Sequence, residues 1–343
     1  MLRRTLATLA RTALLPVRAP ARLVQANQHF YLPVLNGALG DQLAARHDPR
    51  AIALSFRVAG HDVPVAELPL PAGPPRLTVV FVHGLMGDEL IWQTAAPLDP
   101  DAAPRYGPRL AAEAGVQVLY VRYNTGLHIS ENGRALNQLL AELVSTHAGA
   151  IGGLVLVGHS MGGLVVRSAG YYAEAAAEVA GPAPWRALLR TVFLLGVPHE
   201  GSYLEQNSAA VEQWLRRLDV LPTRLAGEVM ARRSNGIKDL GRALLVDEDW
   251  QQPGTAPHRT VVPLLPGVAY HVLVGSWLGS GRAQALRDYL GDGLVSVASG
   301  LSLAPEAAPL PAGASLHTAR FAAQHHGGLL HDESVYQYLR RWL

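Results

Sequence analysis

The apolar positions of this chain fall into short unbroken runs separated by amphipathic stretches. Leu77-Thr78-Val79-Val80-Phe81-Val82 is continuous and rich in β-branched residues. Such a run suits a strand buried on both faces of a parallel sheet. Similar runs predict strands at 116–123, 154–157, 189–197, 270–274 and 315–321. Between them, helical periodicity predicts helices near 106–114, 130–147, 161–179 and 333–343, with Ser130 as N-cap ahead of Glu131. Nearer the N-terminus, Ala51 to Val58 and Val63 to Val65 read as a hairpin joined by Gly60-His61-Asp62. Helix-forming text over 24–50 is interrupted at Asn36-Gly37 and at Asp48-Pro49. Strands alternating with helices predict the α/β class, a mostly parallel central sheet with helices on both faces.

The rhythm breaks between 203 and 265. Helical text at Val211 to Leu218 and Arg224 to Arg232 gives way to Ser234-Asn235-Gly236 and a Pro-rich run from Pro253 to Pro266. This predicts a helical cap inserted between two core strands. The chain then divides into a basic leader (1–24), an N-terminal extension with the first hairpin (25–75), a first core part (76–202), the cap (203–265) and a second core part (266–343).

The junction of one strand with its following helix carries the sharpest chemical signal. Gly158-His159-Ser160-Met161-Gly162 joins the run Leu154-Val155-Leu156-Val157 to the helix that opens near 161. A serine between glycines at this spacing is a nucleophile elbow: the turn is strained, and small residues are needed where backbone passes backbone. The positive end of the next helix then faces the serine and favours a developing oxyanion.

Composition narrows the classes. Across 343 residues, 49% are hydrophobic and 16% charged, which describes a globular chain with a large core. A formal charge of +2 gives no argument for nucleic acid. Cysteine is absent, which excludes disulfides, thiolate metal sites and a cysteine nucleophile. No apolar run approaches the ~18–20 residues of a membrane span. A cytoplasmic chain is expected; Arg3, Arg4, Arg11, Arg18 and Arg22 crowd the leader, which makes export or peripheral membrane contact through it the alternative. The 14 histidines show no metal-ligand spacing, and no metal or cofactor is expected.

A serine hydroxyl needs a base, and the base needs an acid to orient it. Asp292, in Gly291-Asp292-Gly293 after the 270–274 strand, is the expected acid, with Asp288 and Asp332 as competitors. His325 and His326 both follow the last strand, and one of them is expected to reach Ser160. Adjacent residues point in different directions, and spacing alone does not choose. His331 is a third option. Backbone N–H groups of Met161 and Leu85, the latter in Val82-His83-Gly84-Leu85-Met86-Gly87, are the expected oxyanion donors. His83 and His159 are expected to brace their loops, and His199, after the 189–197 strand, to line the site.

Together, HGLMGD at 83–88, GHSMGG at 158–163, LGVPHEGS at 195–202, GDGLVSV at 291–297 and HHGGLL at 325–330 resemble the lipase/esterase branch of the α/β-hydrolases. Within it they are similar to bacterial proteins of the GPI inositol-deacylase-like kind. Leu35 to Asp41 also resembles the N-terminal extension of those proteins. The resemblance implies a nucleophile at Ser160, an acid at Asp292 and, three residues before Leu329-Leu330, a base at His326. It implies hydrolysis of carboxylic esters, small-molecule or lipid, through an acyl-enzyme and without a cofactor. Acyl transfer through the same triad, or a non-catalytic binding protein on this fold, are the alternatives.

Overall fold

The computed structural model describes residues 29, 31–71, 73–94, 103–201, 233–251, 259–276, 295, 297–303 and 309–343. Eight strands form one sheet: β1 (Ser55–Val58), β2 (His61–Val63), β3 (Arg76–Val82), β4 (Gln117–Arg122), β5 (Ile151–His159), β6 (Leu189–Leu195), β7 (Ala269–Ser276) and β8 (Ser315–Ala322). Their order is β2-β1-β4-β3-β5-β6-β7-β8. The β1 strand runs antiparallel to β2 and β4, and all other neighbours are parallel. The first hairpin is tighter than its sequence predicts. Ala59 and Gly60, both at positive φ, make the turn, and His61 and Asp62 already belong to β2.

The principal helices are α1 (Leu32–Ala45), α2 (Tyr106–Ala114), α3 (Ile129–Thr146), α4 (Met161–Ala180), α5 (Asn235–Arg242) and α6 (Glu333–Arg341). Successive strand side chains point to opposite faces, so each buried strand feeds two cores. Val80, Val82, Leu154 and Leu156 pack with Leu136 and Leu140 of α3 and Leu164 and Val165 of α4. Val79, Phe81, Val155 and Val157 pack on the other face with Tyr106 and Leu110 of α2 and Val335 and Leu339 of α6. The unbroken apolar runs are what a sheet covered on both faces requires. With the strand–serine–helix turn after β5, this is the α/β-hydrolase fold.

Three sequence expectations change. Asn36-Gly37 does not interrupt a helix, because α1 runs through both. The Asn36 amide is buried and spends its groups locally: it donates to the Leu32 and Arg50 carbonyls and accepts from the Ile52 N–H. Ser130 does not cap α3, which begins at Ile129. The Ile129 N–H is met by Asp239, from α5, at 3.0 Å, and Ser130 accepts from the Trp250 indole instead. Ser234-Asn235-Gly236 starts a helix and does not break one, since Ser234 is the N-cap of α5. Of the expected cap, 233–251 and 259–265 are described. The helices expected at Val211 to Leu218 and Arg224 to Arg232 lie outside the described residues. No helix among the described residues is long and apolar enough to cross a membrane.

Candidate active site

The sheet order reverses direction at β3 and β5: the chain moves from β3 to β4 on one side and then to β5 on the other. Ligands of open α/β sheets bind beyond the carboxyl ends of the strands at such a switch point. The loop after β3 and the turn after β5, 83–88 and Ser160, lie at this point.

Ser160 has φ 52° and ψ −125°, a conformation that costs an ordinary L-residue about 1–3 kcal/mol. Three features hold it there. The Ser160 N–H donates to the Leu195 carbonyl at 2.9 Å, and its own carbonyl accepts from Gly163 at 3.0 Å. Gly162 leaves no room for a side chain, because a Cβ there would lie 2.4 Å from the His83 carbonyl oxygen. Gly84 presses its backbone on the serine, and a Cβ there would stand 3.1 Å from the Ser160 Cβ. The β3 loop carrying Leu85 is therefore seated against the turn that carries Ser160 and Met161. Ser160 itself is 8% exposed and stands at the positive end of the 20-residue α4, its side chain making no capping hydrogen bond.

His83 is fully buried and works on the backbone. Its Nδ1 bonds the Gly84 carbonyl at 2.9 Å, its Nε2 accepts from the Tyr123 N–H, and the Tyr123 hydroxyl donates to the His83 carbonyl. Burial pushes its pKa down to about 4, so the ring is neutral. This is the bracing role expected of it. His159 is likewise buried and held neutral by burial. Its Nε2 donates to the His326 carbonyl at 3.3 Å, and Trp92 backs the ring edge-on. The residue before Ser160 thus anchors the loop that carries the candidate base.

That loop separates the histidine doublet. His326 is buried, its ring centroid 4.6 Å from that of His159. His325 is exposed, and its Nδ1 accepts from the Gly328 N–H. His331 is exposed and lies edge-on to His325. Asp332 is committed elsewhere: it caps α6 through the Ser334 and Val335 N–H groups and accepts from Gln324. Asp292 and Asp288 lie outside the described residues. His199 is buried away from solvent, with Arg167 of α4 donating toward its Nδ1 at 3.5 Å. Nothing in the local pattern marks Arg167, which sits in the middle of an otherwise apolar helical stretch.

His29, Asp88 and Glu89 offer ligand atoms within 4.8 Å of one another. Both carboxylates already have partners: His29 bonds Asp88 at 2.6 Å, and Arg57 pairs with Glu89 at 2.9 Å. Burial raises the Asp88 pKa. The group reads as a buried hydrogen-bonded cluster behind the β3 loop.

No family model and no curated protein matches the chain. Among solved structures it is similar to the mature lipase BlEst2 of Bacillus licheniformis, at 20% identity and TM-score 0.46, over 84% of this chain and 98% of that one. It is also similar to EstE1, a thermostable carboxylesterase from a metagenomic library, at 13% identity and TM-score 0.44, over 95% and 96%. A hyperthermophilic esterase from Pyrobaculum calidifontis aligns at 14% identity and TM-score 0.41, over 79% and 76%.

Proposed function

We propose that the protein is a serine hydrolase of carboxylic esters, related within its fold to the bacterial GPI inositol-deacylase-like proteins whose motifs it shares. The observation that carries this is the backbone of Ser160. A serine kept at φ 52° between a buried strand and a long helix, with the β3 loop pressed on its Cβ, is strained for a reason. In this reading Ser160 Oγ attacks the ester carbonyl and His326 takes its proton. Asp292 orients the imidazole, and the Leu85 and Met161 N–H groups hold the oxyanion. The tetrahedral intermediate collapses as His326 protonates the leaving alcohol. Water, deprotonated by the same histidine, then releases the acid and restores Ser160. The burial of His326 beside His159, with His325 turned to solvent, supports the choice of base.

The test is hydrolysis of p-nitrophenyl esters of increasing acyl length by wild type, Ser160→Ala, His326→Ala, His325→Ala and Asp292→Asn. Removing either member of the nucleophile–base pair is expected to lower kcat by about 10⁴-fold or more. His325→Ala is expected to stay within a few-fold of wild type. A fluorophosphonate should label wild type at Ser160 alone. Labelling without turnover of any ester would move the reading to acyl transfer, and absence of both would leave a binding protein.

A further inference from the structure

Seven residues beyond Ser160, roughly 10 Å along α4, Arg167 is buried in apolar surroundings. It is 9% exposed, and burial lowers its pKa to about 10. One terminal nitrogen donates to the Val262 carbonyl at 2.7 Å, and the other approaches the neutral His199. Its Nε has no hydrogen-bond partner, and no carboxylate among the described residues pairs with it. A buried cation without a counter-ion is costly, and a purely structural role would favour an apolar residue or a paired one.

Arg167 lines a cleft of about 310 Å³, near the lower end of ligand-pocket sizes. A second guanidinium, Arg259, stands in the same lining and donates to the His199 carbonyl. Its charge further disfavours the cation on Arg167. Among the described residues of the lining Glu200 is the one acidic residue, so these residues carry a net charge of one positive unit. The rest is mostly apolar. Leu264 and Leu303 are buried, while Val261 and Leu310 stand 74% and 42% exposed. Only three large apolar side chains among the described residues are at least that open, and two of them are in this lining.

We infer that this cleft binds a monoanionic amphiphile of the fatty-carboxylate class, its head on Arg167 and Arg259 and its tail along Leu264, Leu303 and Leu310. The charge selects one negative unit, because a dianion would be left with an uncompensated charge beside Glu200. The guanidinium fork suits a planar carboxylate. The exposed Val261 and Leu310 gain a partner when a chain lies across them. The inference does not depend on Ser160 chemistry.

The test is calorimetric titration of the full chain with decanoate, 1-decanol, acetate and inorganic phosphate. Decanoate is expected to bind, with decanol, acetate and phosphate each at least about tenfold weaker. Arg259→Gln, at the exposed edge, is expected to keep the fold and weaken decanoate about tenfold or more, the range of a lost charge-assisted hydrogen bond. Arg167→Met should do the same where circular dichroism shows it folded. Ser160→Ala and His326→Ala should leave decanoate binding unchanged. Decanol binding as tightly as decanoate, phosphate binding more tightly, or folded Arg259→Gln binding decanoate like wild type would overturn the assignment. Loss of decanoate binding in Ser160→Ala would also overturn it, by moving the ligand to the candidate active site.

Discussion

At the scale of single residues, the elbow rests on contacts that the sequence motif states only as letters. Gly162 is needed because the His83 carbonyl oxygen would sit 2.4 Å from any Cβ placed there. That carbonyl also accepts the Tyr123 hydroxyl and cannot move freely. Gly162→Ala is therefore expected to cost about 1–3 kcal/mol, the range for overpacking a rigid site, and to displace the β3 loop. Denaturant unfolding reads the first effect, and fluorophosphonate labelling rates at Ser160 read the second. Wild-type values of both would show that the His83 turn is soft. The motif made Ser160 legible because strain of this kind admits few residue types. The doublet His325-His326 was not resolved by spacing, because what separates the two is the bond from His159 Nε2 to the His326 carbonyl, a contact spanning 167 positions. Arg167 left no signal at all, since its environment comes from residues near 199 and 262.

At the scale of elements, the strands were legible because burial on both faces demands unbroken apolar runs, and β3, β5 and β6 supply them. Helix ends were not, where a distant segment supplies the cap. Local text favours Ser130 as the cap of α3, yet Asp239 takes the Ile129 N–H and also bonds the His128 ring at 2.9 Å. Tertiary context overrides the local preference because Asp239 is buried and meets both donors at once. The two readings predict opposite rankings. Asp239→Ala, which strands the buried Ile129 N–H and the half-buried His128 ring, is expected to lose about 2–4 kcal/mol, and Ser130→Ala, which frees one indole N–H, about 1 kcal/mol. Equilibrium urea unfolding of the two variants measures the ranking, and a larger loss from Ser130→Ala would restore the local cap. Likewise Asn36-Gly37 reads as a turn in isolation, but Asn36 is drawn into α1 by the carbonyl of Arg50 and the N–H of Ile52.

At the scale of the whole molecule, the fold encloses several imidazoles in its two cores, and this makes its stability depend on pH in a definite window. Burial lowers the pKa of His83 and of His271 to about 4, and it also lowers those of His159 and His199. The folded chain keeps these rings neutral, whereas the unfolded chain protonates them below about 6.5. Between those limits the unfolded state binds more protons, so stability is full above about pH 6.5 and falls as pH drops towards 4. For His83 alone the gap between 6.5 and about 4 corresponds to about 3 kcal/mol. Two buried carboxylates act in the opposite sense. Burial raises the pKa of Asp88 and of Asp239, so the folded state takes up those protons first and recovers part of the loss. Four histidines against two carboxylates leave a net decline. Unfolding free energy measured from pH 7.5 to 4.5 should be flat at the upper end and fall by several kcal/mol below pH 6.5. In His83→Gln, which keeps an amide donor for the Gly84 carbonyl but cannot titrate, the decline should be shallower by up to about 3 kcal/mol. A wild-type curve flat through pH 5 would mean that water reaches these rings, and that the tight seating of the β3 loop on Ser160 is looser than its hydrogen bonds require.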